Sequence, residues 1–256
     1  MDRSEILREL GLLPVWRLRA STPVAPSYDP AASNVAPAAH TTQEIPAPAS
    51  DRLHRIATLE WRDFARDVDA CTACGLCRTR NKSVPGVGDA HAQWLFVGEA
   101  PGAEEDAKGE PFVGQAGRLL DNMLAALGMK RGTNVYIANV LKCRPPGNRT
   151  PEPSEVESCR PYLDRQIELI KPSLIVALGK SAATTLLNVE ATIASLRGRV
   201  HRYRGVPLLV TYHPAYLLRN LPDKAKAWED LCLARATLRR LLEEPGPSSE
   251  RGPASA

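Results

Sequence analysis

Three short apolar runs, Trp94 to Val97, Val135 to Val140 and Leu174 to Leu178, are each followed by a longer amphipathic stretch, and this alternation leaves few folds open. Runs that are apolar on consecutive residues read as strands covered on both faces, the situation of a parallel sheet. Parallel neighbours need a crossover, and Ala116 to Leu127, Ser154 to Ile170 and Lys180 to Leu187 carry the helical spacing for it. The pattern predicts an α/β domain with a largely parallel sheet. Val200 to Tyr203 and Val206 to Thr211, separated only by Arg204 and Gly205, predict an antiparallel hairpin, and Ala225 to Leu242 a closing helix. No internal repeat is apparent.

The flanks differ in composition. Within residues 1–20, Ile6, Leu7, Leu10, Leu12 and Leu13 form a short amphipathic segment that Pro14 stops. Residues 21–50 are rich in Pro, Ala, Ser and Thr, which cannot bury enough apolar surface to offset the cost of ordering, so a flexible linker is expected. A disordered tail is expected over 243–256, leaving 51–242 as the folded domain, a size that can bury one core. The N-terminal segment reads either as a docking segment for a protein partner on a long tether or as a plain extension.

With 256 residues and a formal charge of +4, the chain is only mildly basic, which agrees with a nucleic-acid partner without requiring one. No run reaches the roughly 20 apolar residues of a membrane helix, and no signal-peptide pattern opens the chain. A cytoplasmic monomer with no membrane association is expected. In that compartment six cysteines are better explained by metal or cluster ligation than by disulfides.

In open α/β sheets ligands bind beyond the carboxyl ends of the strands. After the first run comes Gly98-Glu99-Ala100-Pro101-Gly102, whose glycines let backbone approach a ligand and whose amides can face an anion; an ordinary strand-to-helix turn has the same composition. After the second, Asn139 precedes Lys142-Cys143-Arg144-Pro145-Pro146. A strand-end Asn offers an acceptor and two donors to a base edge, or caps a turn. After the hairpin, His213 is followed by Pro214-Ala215-Tyr216-Leu217-Leu218-Arg219; a lone histidine is as readily structural as catalytic.

Cys71-Thr72-Ala73-Cys74 brings two thiols to one centre, and Cys143 and Cys159 lie far downstream. An iron-sulfur cluster, a zinc half-site and a redox pair all fit that spacing. Cys77 extends the run as a competing ligand, and Cys232 reads as a small core residue.

Taken in order, Cys71-x-x-Cys74, Gly98 to Gly102, Glu110-Pro111-Phe112-Val113-Gly114-x-Ala116-Gly117, Asn139 to Pro146 and His213-Pro214-x-Tyr216-Leu217-Leu218-Arg219 resemble the family 4, iron-sulfur type, uracil-DNA glycosylases from about Cys71 to Leu242. The resemblance implies a three-layer uracil-DNA glycosylase-like α/β fold with a central, mostly parallel four-stranded sheet flanked by helices. It also implies a [4Fe-4S] cluster held by Cys71, Cys74, Cys143 and Cys159, with Cys77 outside the ligand set.

By the same resemblance, 51–242 is a catalytic domain that flips uracil out of single- or double-stranded DNA, hydrolyses its N-glycosidic bond and leaves an abasic site for base excision repair. Phe112 would stack on the base, Asn139 would read its Watson–Crick edge, and Glu105 would crowd the methyl of thymine. Gly98 and Ala100 would contribute to the pocket, while His213 and Glu99 would be catalytic, His213 by stabilising charge on uracil O2 and Glu99 by orienting water or countering the sugar cation. Ala100 stands where the best-known branch of the superfamily carries a water-assisting Asp. Leu217 and Leu218 would fill the vacated stack, with Arg219 meeting a phosphate. The rival readings are a non-catalytic iron-sulfur DNA-binding module, a relative that traps uracil-DNA covalently, and a zinc protein of unrelated chemistry.

Overall fold

In the computed structural model, residues 49–243 are described, and each apolar run divides its side chains between two buried faces. The strands are β1 (Val87–Gly88), β2 (Trp94–Gly98), β3 (Val135–Asn139), β4 (Leu174–Leu178), β5 (His201–Tyr203) and β6 (Val206–Thr211). They form one sheet in the order β1-β3-β2-β4-β6-β5. The four central strands run parallel, and an antiparallel strand closes each edge. The four-stranded expectation is therefore met by the parallel core and corrected at the edges, where β1 and β5 make the sheet six-stranded.

The helices are α1 (Ala49–Thr58), α2 (Trp61–Asp69), α3 (Ala103–Lys108), α4 (Gln115–Ala126), α5 (Pro153–Ile170), α6 (Lys180–Leu187), α7 (Ile193–Leu196), α8 (Pro214–Leu217) and α9 (Asp223–Glu243). Strand side chains alternate with period two, so Trp94 and Phe96 of β2 meet Leu120 and Leu124 of α4 and Leu231 and Leu238 of α9. The intervening Leu95 and Val97 face Leu163 and Ile167 of α5 and Ala182 and Leu186 of α6. Each of these buried leucines contributes about 1.5–3 kcal/mol on leaving water. The layers are helix, sheet, helix.

Helices α1 and α2 build a smaller core against α5, in which Ile56, Phe64 and Val68 surround Tyr162. The Tyr162 hydroxyl donates to Asp67 at 2.6 Å, and Arg165 donates to the carbonyl of Leu59, tying the pair down. Helix α1 starts at Ala49 and α9 runs to Glu243, a residue or two beyond the expected domain limits. The rest of the expected linker, the tail and the N-terminal segment lie outside the described residues. Among the described residues, no helix is long and apolar enough to cross a membrane.

Candidate active site

Strand register assembles the site. Gly98 at the end of β2 lies directly across from Asn139 at the end of β3, and Leu178 of β4 across from Thr211 of β6. The segments leaving these strands surround a cavity of about 530 Å³ whose lining includes Glu99, Ala100, Glu105, Phe112, Asn139 and His213, and which extends to Arg219.

Asn139 is 2 % exposed and lines this cavity, and its carboxamide has no hydrogen-bond partner among the described residues. Its backbone carbonyl instead accepts from the Nζ of Lys142 at 2.8 Å. Gly98 is what allows the close approach. A Cβ there would lie 2.4 Å from Asn139 Oδ1 and 2.7 Å from Phe112 Cζ, closer than atoms pack.

Phe112 adopts φ 54°, a left-handed conformation that is unfavourable for a bulky side chain. Its ring faces that of His213, with centroids 5.5 Å apart and planes at 30°. The turn is held from below by α4, where any Cβ on Gly117 would collide with the Phe112 carbonyl oxygen at 1.7 Å. The carboxylate of Glu105 accepts from the amides of Gly102, Val113 and Gly114 at 3.1, 2.9 and 3.2 Å. Glu105 thus both lines the cavity and organises two of its walls.

His213 caps the N-terminus of α8, and its Nδ1 accepts from the amide of Ala215 at 3.1 Å. In the neutral imidazole that bond leaves the proton on Nε2. Burial, aided by the Arg219 charge, lowers the His213 pKa to about 4 against the opposing effect of Glu105, so the ring is neutral at pH 7. Glu99 also lines the cavity, and burial raises its carboxyl above the ordinary value of 4.5, with Ser181 offsetting part of the rise. Ala100 lines the wall without a functional group.

The two leucines expected to meet DNA lie in different surroundings. Leu217 is 1 % exposed and packs against Tyr212 and Ala227, because the helical turn of α8 points it inward. Its neighbour Leu218 is 40 % exposed.

At the same end of β3 the cysteines gather. Cys71 and Cys74 follow α2, Cys143 follows β3, and Cys159 lies in α5. Cys143 is within electrostatic reach of Cys74 and Cys71, and Cys159 of Cys143 and Cys71. Cys74, Cys143 and Cys159 pack about Leu76 and Leu141. Arg80 donates to Cys143 Sγ at 2.9 Å, Arg52 to Cys71 Sγ at 3.8 Å, and the amide of Lys142 to Cys159 Sγ at 3.3 Å. Cys77 is near Cys74 but faces a separate pocket with Asp69 and Ser83. Among the described residues, no three His, Cys, Asp or Glu side chains are close enough to hold a single metal ion.

Two supporting residues were missed in the sequence. Lys142 is wholly buried, donates to Gln166 Oε1 as well as to Asn139, and has its pKa lowered to about 8 by burial. It stands in the strand-end motif, so its place was a signal. Arg131, which donates to the carbonyls of Pro111 and Phe112, sits in a turn with no local pattern to mark it.

The parallel core and the cavity at its carboxyl edge define an α/β protein that takes a ligand beyond the strand ends. A family model described as the uracil DNA glycosylase superfamily matches residues 85–232. The chain is 49 % identical over 164 residues to a type-4 uracil-DNA glycosylase of Archaeoglobus fulgidus, covering 61 % of this chain and 82 % of that protein. It is 40 % identical over 205 residues to one of Saccharolobus solfataricus, covering 74 % and 94 %, and 42 % identical over 177 residues to one of Thermotoga maritima, covering 68 % and 92 %. The chain belongs to the type-4 uracil-DNA glycosylase family.

Proposed function

We propose that the protein hydrolyses the N-glycosidic bond of uracil in DNA and that the cavity beyond β2 and β3 is where it does so. Uracil excision and a place in base excision repair follow from the family. The observation that carries the site is the carboxamide of Asn139, which lines the cavity beside the ring of Phe112. Uracil presents O4 as an acceptor and N3–H as a donor, which one carboxamide satisfies together, whereas cytosine presents the reverse. A buried site that pairs one polarity rejects the other, since mismatched polar groups would be left without partners.

Cleavage places negative charge on uracil O2 and positive charge on the sugar. His213 donates from Nε2 to that oxygen, and its neutrality suits the role: a donor held in place by the Ala215 amide stabilises charge as it develops, with no proton to lose first. Backbone amides of the Gly98–Gly102 turn assist. Glu99, once ionised, orients the attacking water or offsets the sugar cation, work that Ala100 cannot do. The target base must leave the helix to reach this cavity, and Leu218 with Arg219 serves the vacated stack and the adjoining phosphate.

Cys71, Cys74, Cys143 and Cys159 suit a [4Fe-4S] cluster. Three separate segments bring four thiols together under Arg52 and Arg80, cations that offset thiolate charge, and four cysteines are the usual ligand set of such a cluster. Bound there, the cluster cross-links the α2 turn, the loop after β3 and α5. DNA in either strand form is the substrate, and the protein acts as a monomer in the cytoplasm. The test is excision from an oligonucleotide with a single uracil, the abasic site being cut by alkali. Repeated turnover is expected; a product trapped on the protein in denaturing gels would favour the covalent rival, and no cleavage the DNA-binding module.

A further inference from the structure

We infer that Arg131 is a positioning residue for uracil recognition, one that acts through Phe112 by holding its peptide in the left-handed conformation. This inference rests on the assignment of Phe112 as the platform for the base. The guanidinium reaches the loop from the turn after α4 and uses every side of its fork. Nη1 donates to the carbonyl of Pro111 and Nη2 to that of Phe112, both at 2.9 Å, while Nε donates to Asp121 of α4 at 3.0 Å. Arg131 is one-fifth exposed, so these bonds are only partly open to water.

The loop has opposite needs on its two sides. The carbonyls of residues 111 and 112 point to the Arg131 cation, and the amides of 113 and 114 to the Glu105 anion. Two ions of opposite sign thereby orient successive peptide groups around a residue whose φ of 54° is unfavourable for an aromatic side chain. The absence of a Cβ at Gly117 leaves room for the Phe112 carbonyl, which such an atom would meet at 1.7 Å. Releasing the carbonyls lets the peptide relax toward negative φ, which turns the ring away from His213 and Gly98. Lysine lacks the planar fork to hold two carbonyls and Asp121 together.

The experiment combines excision kinetics with amide hydrogen exchange on the full-length, cluster-containing protein. Arg131→Ala should raise KM for uracil-containing DNA about tenfold, the scale of losing a charged two-bond contact, with a smaller change in kcat. Arg131→Lys should recover little of it. Exchange at Val113 and Gly114 should quicken in Arg131→Ala while β2 and β3 stay protected. In a Phe112→Ala background, Arg131→Ala should add almost nothing. Equal losses in both backgrounds, or unchanged exchange at 113 and 114, would overturn the positioning role while leaving the site assignment intact. A Phe112→Ala variant that excises like wild type would instead remove the platform itself, and this role with it.

Discussion

The backbone amide of Ala215 donates to Nδ1 of His213 at 3.1 Å, and that bond determines which imidazole nitrogen carries the proton. Burial keeps the ring neutral down to about pH 4, so His213 does not titrate across the neutral range. The acid side of the activity profile therefore falls to Glu99, whose carboxyl is raised above 4.5 by burial. If ionised Glu99 is required, kcat should fall as pH drops through that raised value. Glu99→Gln should lower kcat and flatten the limb, and His213→Ala should cut single-turnover excision about a hundredfold or more, as removal of a preorganised donor does. An acid limb near 6.5, the ordinary histidine value, that persists in Glu99→Gln would contradict the neutral-donor role.

Gly98 and Asn139 make a second test, because they face each other across β2 and β3. Gly98→Ala places a methyl 2.4 Å from Asn139 Oδ1 and should abolish uracil selection by displacing both the carboxamide and Phe112. Asn139→Asp, when protonated, offers donor and acceptor in the order cytosine needs, and should shift preference toward cytosine in competition assays with mixed oligonucleotides. Undiminished uracil preference in that variant would count against Asn139 as the reader.

These residues were legible in the sequence because each follows a strand whose apolar run is unmistakable. The strand-end rule singles out the segments holding Gly98, Asn139 and His213 without any contact information. Other parts were hidden for physical reasons. Two residues, Val87–Gly88, show no alternation, so β1 emerges only through its pairing with β3. Helices α1 and α2 bury few residues each, and their partner Tyr162 is about a hundred positions away. Arg131 is similarly remote in pattern, since its role depends on main-chain carbonyls that no side-chain motif encodes.

Leu217 and Leu218, alike in the resemblance, differ in burial. Consecutive leucines look equivalent in sequence, but one turn of α8 sends Leu217 into the core and leaves Leu218 outside. Leu217→Ala should cost about 2–5 kcal/mol of stability, seen as a lower Tm, through lost burial and the cavity left behind. Leu218→Ala should leave Tm unchanged and weaken excision from duplex more than from single strands, where no stack needs filling.

Arg219 extends from the same turn to the cavity, where its charge helps to lower the His213 pKa, and a phosphate contact is proposed for it. Arg219→Ala should weaken binding with little effect on base preference, and should reduce the slope of log affinity against log salt by about 0.9 if one phosphate contact is lost. Equal affinity across salt concentrations would reject that contact.

The cysteines separate the cluster reading from its zinc rival by colour and by position. Purified protein should carry iron and a brown visible absorption, whereas zinc thiolates are colourless. Cys143→Ala and Cys159→Ala should each lose iron and lower Tm, because under the proposed ligation they join the loop after β3 to α5, where the Lys142 amide already donates to Cys159. Cys77→Ala should keep iron, colour and excision, since Cys77 faces the separate pocket beside Asp69. Loss of the chromophore in Cys77→Ala with its retention in Cys159→Ala would reverse the ligand assignment. The exchange would be instructive in itself, for a cluster held by Cys71, Cys74 and Cys77 would sit in one short segment and no longer tie α5 to the strand that carries Asn139.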